Sequence, residues 1–293
     1  MKKYSLFHLE GGLGKHIAAT AVAKCIKNNH PHRKLIVVCA YPEIYLNLKF
    51  IDKVFRLGST PYFYDDYIKD KDTLIFKHEP YFTTEHVNKQ LPLIENWCKL
   101  YNLEYSGEMP ELLFNMSQRQ FGIGKWSRER PIMLIQTNGG PFKDQPYPYS
   151  WTRDLPINIT QQVINHFKNQ YHIIQVTRKK ETGFQGVEVV TETMSHMVFL
   201  SLLLVAQKRL LIDSCLQHAA YALNLPSTIT WVGTSPTIFG YKMHNNIIAN
   251  LPEGTKLPES YLFDYNFTGA LHECPFINEE IFNADEIINS LKN

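Results

Sequence analysis

Two doubly wound α/β domains, each on a parallel sheet, are what this sequence predicts, and three observations predict them. Short apolar runs alternate with helix-period segments along most of the chain. Two strand-to-helix junctions, at residues 10–15 and 213–218, sit where open α/β sheets receive their ligands. A polar stretch without periodicity, residues 115–130, separates two βα-rich halves.

In the first half, residues 4–9 read as a strand and 10–14 as a glycine-rich turn. Residues 15–28 read as a helix with Ile17, Ala18, Ala21, Val22, Cys25 and Ile26 on its buried side. Strands follow at 35–39, 53–57 and 73–76, then a helix over 86–101 that Pro92 kinks or delays. In the second half a strand at 132–137 leads into a long loop, 138–156, with Gly139, Gly140 and four prolines, as functional or mobile loops have. A helix around Ile159, Val163, Ile164 and Phe167 comes next, then strands at 171–176 and 187–190 and a helix over 194–207. Leu210, Leu211 and Ile212 read as a buried parallel strand. Asp213 closes it and Ser214 opens a helix with Leu216, Ala219, Ala220 and Leu223 on one face, ended by Asn224 and Pro226. Residues 227–232 read as the next strand, and 278–291 as an amphipathic tail.

The chain has 293 residues, enough for one large or two medium domains, and 44% hydrophobic content, ordinary for a protein with a core. A formal net charge of +2 argues against a strongly basic nucleic-acid binder. The five cysteines are scattered with no CxxC, which suits thiols in a reducing cytosol. The apolar stretch 197–206 is too short to span a bilayer, and no signal peptide is visible, so a cytoplasmic location without a transmembrane segment is expected. Metal-ligand spacing is lacking: the 12 histidines include no HExxH.

Two motifs carry chemistry. In Glu10-Gly11-Gly12-Leu13-Gly14-Lys15 the glycines let backbone approach a ligand closely, or simply make a tight turn. The spacing is neither that of a P-loop nor that of a dinucleotide fingerprint, since position 17 is Ile. In Asp213-Ser214-Cys215-Leu216-Gln217-His218 a strand end meets a helix N-terminus, whose open N–H groups suit a phosphate. His218 lies on the face of Ser214 at i,i+4 and could donate to a phosphate oxygen. Ser214 and Gln217 also spell a capping box, which needs no ligand.

The 213–218 run, with Ala219-Ala220-Tyr221-Ala222-Leu223 and a Pro-led strand after it, resembles the donor-binding half of the bacterial heptosyltransferase group, glycosyltransferase family 9. The family's Gly is Cys215 here. The resemblance implies the GT-B arrangement: two Rossmann-like domains facing across a cleft, with a C-terminal helix crossing back. It implies an acceptor-side domain at 1–120, a nucleotide-sugar domain at 131–275, and a terminal helix, 276–293, packed on the first domain.

The resemblance also nominates site residues. Gly12 and Gly14 match the family's glycine turn, but its Asp base stands as Lys15 here, leaving Glu10, preferred, or His16 to take the acceptor proton. Thr137, Asn138 and Gly139 match the loop that opens the second domain. Trp151 matches a Lys-x-Trp motif whose Lys is Tyr149, with Lys143 or Arg153 to replace the cation. Glu181 matches a ribose- or base-binding Glu, and Arg178 could bridge a diphosphate bidentately. Asp213, Ser214, Cys215 and His218 form the phosphate side, and Thr234 offers a hydroxyl from the loop after the next strand.

The expectation is a glycosyltransferase that moves a sugar from a nucleotide-diphosphate sugar to an acceptor hydroxyl, inverting, with no metal or cofactor beyond the co-substrate. The acceptor is a glycan, a lipid-linked glycan or modified DNA. Sugar transfer to DNA bases would need a basic cleft, as from Lys49, Lys53, Arg56, Lys69 and Lys71, and strongly salt-dependent binding. The same residues also suit a degenerate member that binds nucleotide sugar without turnover, or a purely structural module.

Overall fold

The apolar run after the N-terminal lysines forms β1 (Lys3–Leu9), which feeds through the glycine turn into α1 (Leu13–Asn29). β2 (Lys34–Cys39), β3 (Lys53–Arg56), a short α2 (Phe63–Tyr67) and β4 (Asp72–Phe76) follow. The computed structural model describes residues 1–139, 152–177, 183–191, 194–255, 276 and 280–292. By its internal contacts the chain divides into two units, Met1–Arg119 and Gln120–Asn293.

In the first unit the sheet order is β3-β2-β1-β4, all parallel. β1 and β2 are apolar on both faces because α1 covers one and other helices the rest, as parallel sheets require. Four small residues, Ala18, Ala19, Ala21 and Ala23, are fully buried in α1, which lets the helix lie close on its neighbours. The helix expected over 86–101 is two: α3 (Thr84–Val87) and α4 (Leu93–Leu100). Lys89 takes a left-handed φ of 52° and Pro92 caps α4, so the backbone turns between them.

The stretch read as a linker is instead helical, α5 (Met116–Trp126), and the division between units falls within it. Its C-terminal half is fixed to the second unit. The Trp126 indole N–H donates to Val198 O at 2.8 Å, and Gly122 lies flat on Ser201, where a Cβ would come within 2.1 Å of Oγ.

The second unit runs β5 (Ile132–Gln136), α6 (Ile157–Phe167), β6 (His172–Val176), β7 (Glu188–Val190), α7 (His196–Leu200) and β8 (Ala206–Ile212). It continues with α8 (Cys215–Ala222), β9 (Thr228–Trp231), α9 (Pro236–Phe239), β10 (Asn245–Ile248) and α10 (Ala284–Lys292). The six strands are parallel in the order β10-β9-β8-β5-β6-β7. That is the doubly wound order, with its topological switch between the first strand, β5, and the fourth, β8. Both units are thus doubly wound α/β, as expected.

Two readings of this half are corrected. The helix expected over 194–207 ends at Leu200 in a 3-10 turn, Ser201–Leu204, and β8 begins at Ala206. The strand absorbs a bulge there: Ile132 pairs with Ala206 but Met133 with Lys208, and the Gln207 side chain accepts the Ile132 N–H at 2.6 Å. The C-terminal helix, expected on the first domain, lies on the sheet of its own unit. Its stripe of Ile287, Ile288 and Leu291 is buried in the second unit's own core with Met133, Ile135, Val163 and Ile212. Each such aliphatic side chain contributes about 1.5–3 kcal/mol when fully buried, which ties the tail to the sheet it covers.

Candidate active site

The carboxyl edge of the six-stranded sheet gathers most of the nominated residues. After β5 the chain runs through Thr137, Asn138 and Gly139, and after β8 through Asp213 and Ser214. At the switch between them Gly139 lies against the side chains of Ser214 and Arg153: a Cβ on it would lie 3.3 Å from Ser214 Oγ and 3.2 Å from Arg153 Cδ. Gly139 N–H donates to the buried Asp154 carboxylate at 3.2 Å. Glycine therefore keeps the crevice open, with the Arg153 side chain beside it.

The capping box does not form. Ser214 is the extended N-cap of α8 (φ −160°), yet its hydroxyl takes no helix N–H, and Gln217 turns away to Phe239 O at 3.0 Å and Asp213 Oδ1 at 3.4 Å. The first turn of α8, beginning at half-buried Cys215, is left without a side-chain cap. Thr234 follows β9, and its Oγ1 is buried with no hydrogen-bond partner. Thr137 and Asn138 act differently from expectation. Thr137 Oγ1 accepts from Gln175 at 3.0 Å, and Asn138 Nδ2 donates to Thr177 Oγ1 at 2.9 Å. Their side chains brace the ends of β5 and β6, and what they offer a ligand is backbone.

His218 is buried one turn into α8. Burial pushes its pKa down to about 4, opposed by Asp213 and reinforced by His244 and Arg153, so the imidazole is neutral at pH 7. Its Nδ1 lies 2.7 Å from the Tyr241 hydroxyl. Tyr241 stacks on Tyr221 with centroids 3.7 Å apart and planes at 7°. His244 closes the cluster, its Nε2 donating to Gln217 O at 3.1 Å while its buried Nδ1 has no partner. No spacing in the sequence marked Gln217, Tyr241 or His244 as a unit, because the fold joins them across α8 and the segment after β9.

Glu10, Gly12, Gly14 and His16 belong to the first unit. Glu10 follows β1, its side chain 61% exposed and its carboxylate 4.0 Å from His8 Nδ1. Gly12 is the N-cap of α1 and Gly14 sits in its first turn. His16 is corrected as a base. It is fully buried, its Nδ1–H donates to Gly12 O at 2.9 Å, and its Nε2 accepts from Ala40 N at 3.2 Å. Desolvation holds it at about 4, and both nitrogens are occupied in cross-bracing the glycine turn to the end of β2. Lys15 reaches instead across the sheet edge to Glu79, with Nζ–Oε2 2.7 Å.

Arg178 and Glu181, with Lys143, Tyr149 and Trp151, lie outside the described residues. Among the described residues, no three His, Cys, Asp or Glu side chains are placed to hold a metal ion, and no helix is long and apolar enough to cross a membrane.

No family model and no curated protein matches the chain. Solved structures do. The dodecameric iron-containing heptosyltransferase TibC of enterotoxigenic E. coli, determined in complex with ADP-D-β-D-heptose, is 16% identical with a TM-score of 0.67, covering 100% of this chain and 77% of its own. A family 9 glycosyl transferase from Veillonella parvula is 11% identical with a TM-score of 0.63, covering 84% of this chain and 85% of its own. E. coli heptosyltransferase WaaC with ADP is 14% identical with a TM-score of 0.57, covering 84% and 93%. Two parallel α/β units, a switch point opened by glycine against a helix start, and these likenesses together give the chain the fold of the family 9 heptosyltransferases.

Proposed function

We propose that the chain is a glycosyltransferase that moves a sugar from a nucleotide-diphosphate sugar to an acceptor hydroxyl, with inversion and without a metal. One observation carries the reading. At the switch point of the six-stranded sheet, Gly139 opens the backbone against the uncapped start of α8, with Asp213, His218, Arg153 and the unpartnered Thr234 hydroxyl around it. A departing nucleoside diphosphate gathers negative charge there. The N–H groups of α8, the Arg153 guanidinium and a neutral His218 donor stabilise it as the bond to the sugar breaks. The first unit supplies the acceptor side, where a carboxylate on the carboxyl edge of its sheet takes the hydroxyl proton; Glu10 stands on that edge. Inversion follows from one direct displacement. The chemistry runs in the cytoplasm on a glycan or lipid-linked glycan.

A second reading has one observation in its favour. Lys15 stands where the family has its Asp, which suits a protein that binds a nucleotide sugar without turning it over.

A thermal-shift screen with UDP, GDP, ADP, CMP and their sugar conjugates, ADP-heptose first, tests the proposal. A ligand that binds only the native state adds about 2.7 kcal/mol at 100 times its dissociation constant. The expected result is a rise with one nucleotide diphosphate that Asp213→Ala and His218→Ala diminish. A rise indifferent to both variants overturns the site. Binding with no sugar released to any acceptor, water included, favours the second reading.

A further inference from the structure

The first unit repeats the geometry of the second on a smaller sheet. In the order β3-β2-β1-β4, β1 and β4 are neighbours, and the helices that follow them, α1 and α4, pack on each other. Two side chains meet beyond the carboxyl ends of these strands. Lys15 comes from the first turn of α1, just after β1, and Glu79 from the segment just after β4. They pair at 2.7 Å, with side chains 18% and 26% exposed.

Their surroundings fix them. The Lys15 stem lies against Gly11, where a Cβ would fall 2.7 Å from Nζ and 2.9 Å from Cε, and Gly11 itself needs its φ of +94°. The Lys15 ammonium also stands 4.8 Å from the centroid of the buried Tyr81 ring. Lys15 thus engages Glu79 through Oε2, and Oε1 has no hydrogen-bond partner among the described residues. The two acceptors nominated from the sequence are placed worse: both nitrogens of His16 are occupied and buried, and Glu10 is 61% exposed with His8 Nδ1 at 4.0 Å.

We infer that Glu79, held in place by Lys15, is the carboxylate that takes the proton from the acceptor hydroxyl. The inference rests on the transferase reading above. The acceptor oxygen forms its bond to the anomeric carbon as the bond from that carbon to the phosphate oxygen breaks, its electron pair leaving with the nucleoside diphosphate. The acceptor proton passes to Glu79 Oε1 and from there to water. Lys15 touches no reacting atom and is a positioning residue.

The test uses the full chain and ADP-heptose, or the UDP- or GDP-sugar that the screen selects, with water and then azide as acceptor. Azide is an anion and brings no proton to remove. Glu79→Gln is expected to bind the nucleotide diphosphate within about twofold of wild type and to release it from the sugar about 100-fold more slowly, the lower end of general-base contributions. Azide should restore release and yield the glycosyl azide. Lys15→Met should lower kcat and leave the donor KM unchanged. Glu85→Gln, which breaks an ion pair elsewhere in the unit, should behave as wild type. If Glu79→Gln fails to fold, Glu79→Asp keeps the charge and shifts it, and about a tenfold loss that azide removes carries the same meaning.

Release above half the wild-type rate in Glu79→Gln overturns the inference. So does a loss that azide leaves in place, or a loss confined to Glu10→Gln. Wild-type protein that binds no nucleotide diphosphate overturns the transferase reading, and this one with it.

Discussion

The hydroxyl of Tyr241 stands 2.7 Å from Nδ1 of His218. His218 is neutral because burial holds it at about 4, so it carries one ring proton. With the phenol donating to Nδ1, that proton sits on Nε2. The Gln217 amide lies 3.3 and 3.4 Å from the two ring nitrogens and so favours neither. A phenol that donates here would set the direction in which His218 donates. Tyr241→Phe keeps the ring stack on Tyr221 and removes only the bond. Calorimetric titration with the nucleotide diphosphate that the thermal-shift screen selects should show affinity about three- to tenfold weaker, on the order of 1 kcal/mol, with the unfolding midpoint nearly unchanged. Equal affinity would mean that His218 is oriented without the phenol.

Acid should destabilise the protein early. His16, His218 and His244 are each lowered from 6.5 to about 4, with burial the largest cause. Each stays neutral in the native state while the unfolded chain takes up its proton. Their contribution is full above pH 6.5 and is lost as the pH falls from there toward 4, on the order of 3 kcal/mol per histidine. Urea midpoints measured from pH 7.5 to 4 should fall through that window. A flat profile there would mean that these imidazoles protonate freely in the native state.

His16→Ala should act on stability. It leaves Ala40 N–H without its partner, takes the side-chain bond from Gly12 O, and opens a cavity under Tyr41 and Tyr45, whose rings lie 4.8 and 6.2 Å from the imidazole. A loss of about 2–4 kcal/mol in urea unfolding is expected. An unchanged midpoint would rule out the cross-brace.

Gly122→Ala forces a methyl group into Ser201 and should cost about 1–3 kcal/mol. Adding Ser201→Gly should recover most of that, giving a coupling a double-mutant cycle can read. Additive losses would show that the helix and Ser201 do not touch.

Ile287→Ala probes where the C-terminal helix belongs. A loss of about 2–5 kcal/mol is expected, with faster amide exchange in β8 and β9, against which α10 packs, and little change in β1 and β2. Faster exchange in β1 instead would restore the crossing helix that the resemblance implied.

What could be read from the sequence was local. The run of Leu210, Leu211 and Ile212 followed by Asp213 and Ser214 marks a strand end and a helix start within six residues, and the structure puts them there. The rest depended on distance along the chain. His16 next to a glycine turn reads alike whether it faces solvent or core, and only the return of β2 decides. Lys15 and Glu79 are 64 residues apart and share no pattern. Ala206 and Gln207 read as the end of a helix, because pairing with β5 is a tertiary fact that local propensity cannot express. The linker hid a helix for a similar reason: Trp126 is anchored by a carbonyl 72 residues downstream.

The bulge at Gln207 reaches further than its own end of the sheet. It sets Ile135 beside Leu210, and the same register carried along the two strands sets Gly139 beside Ser214. Without it the ladder would continue one residue out of step, with Arg209 level with Ile135 and Gly139 level with Asp213. One amide at the amino edge therefore aligns the crevice at the opposite edge. Selection that demanded nothing more than a stable sheet would preserve the site's alignment as a by-product, even along a lineage that had ceased to use it.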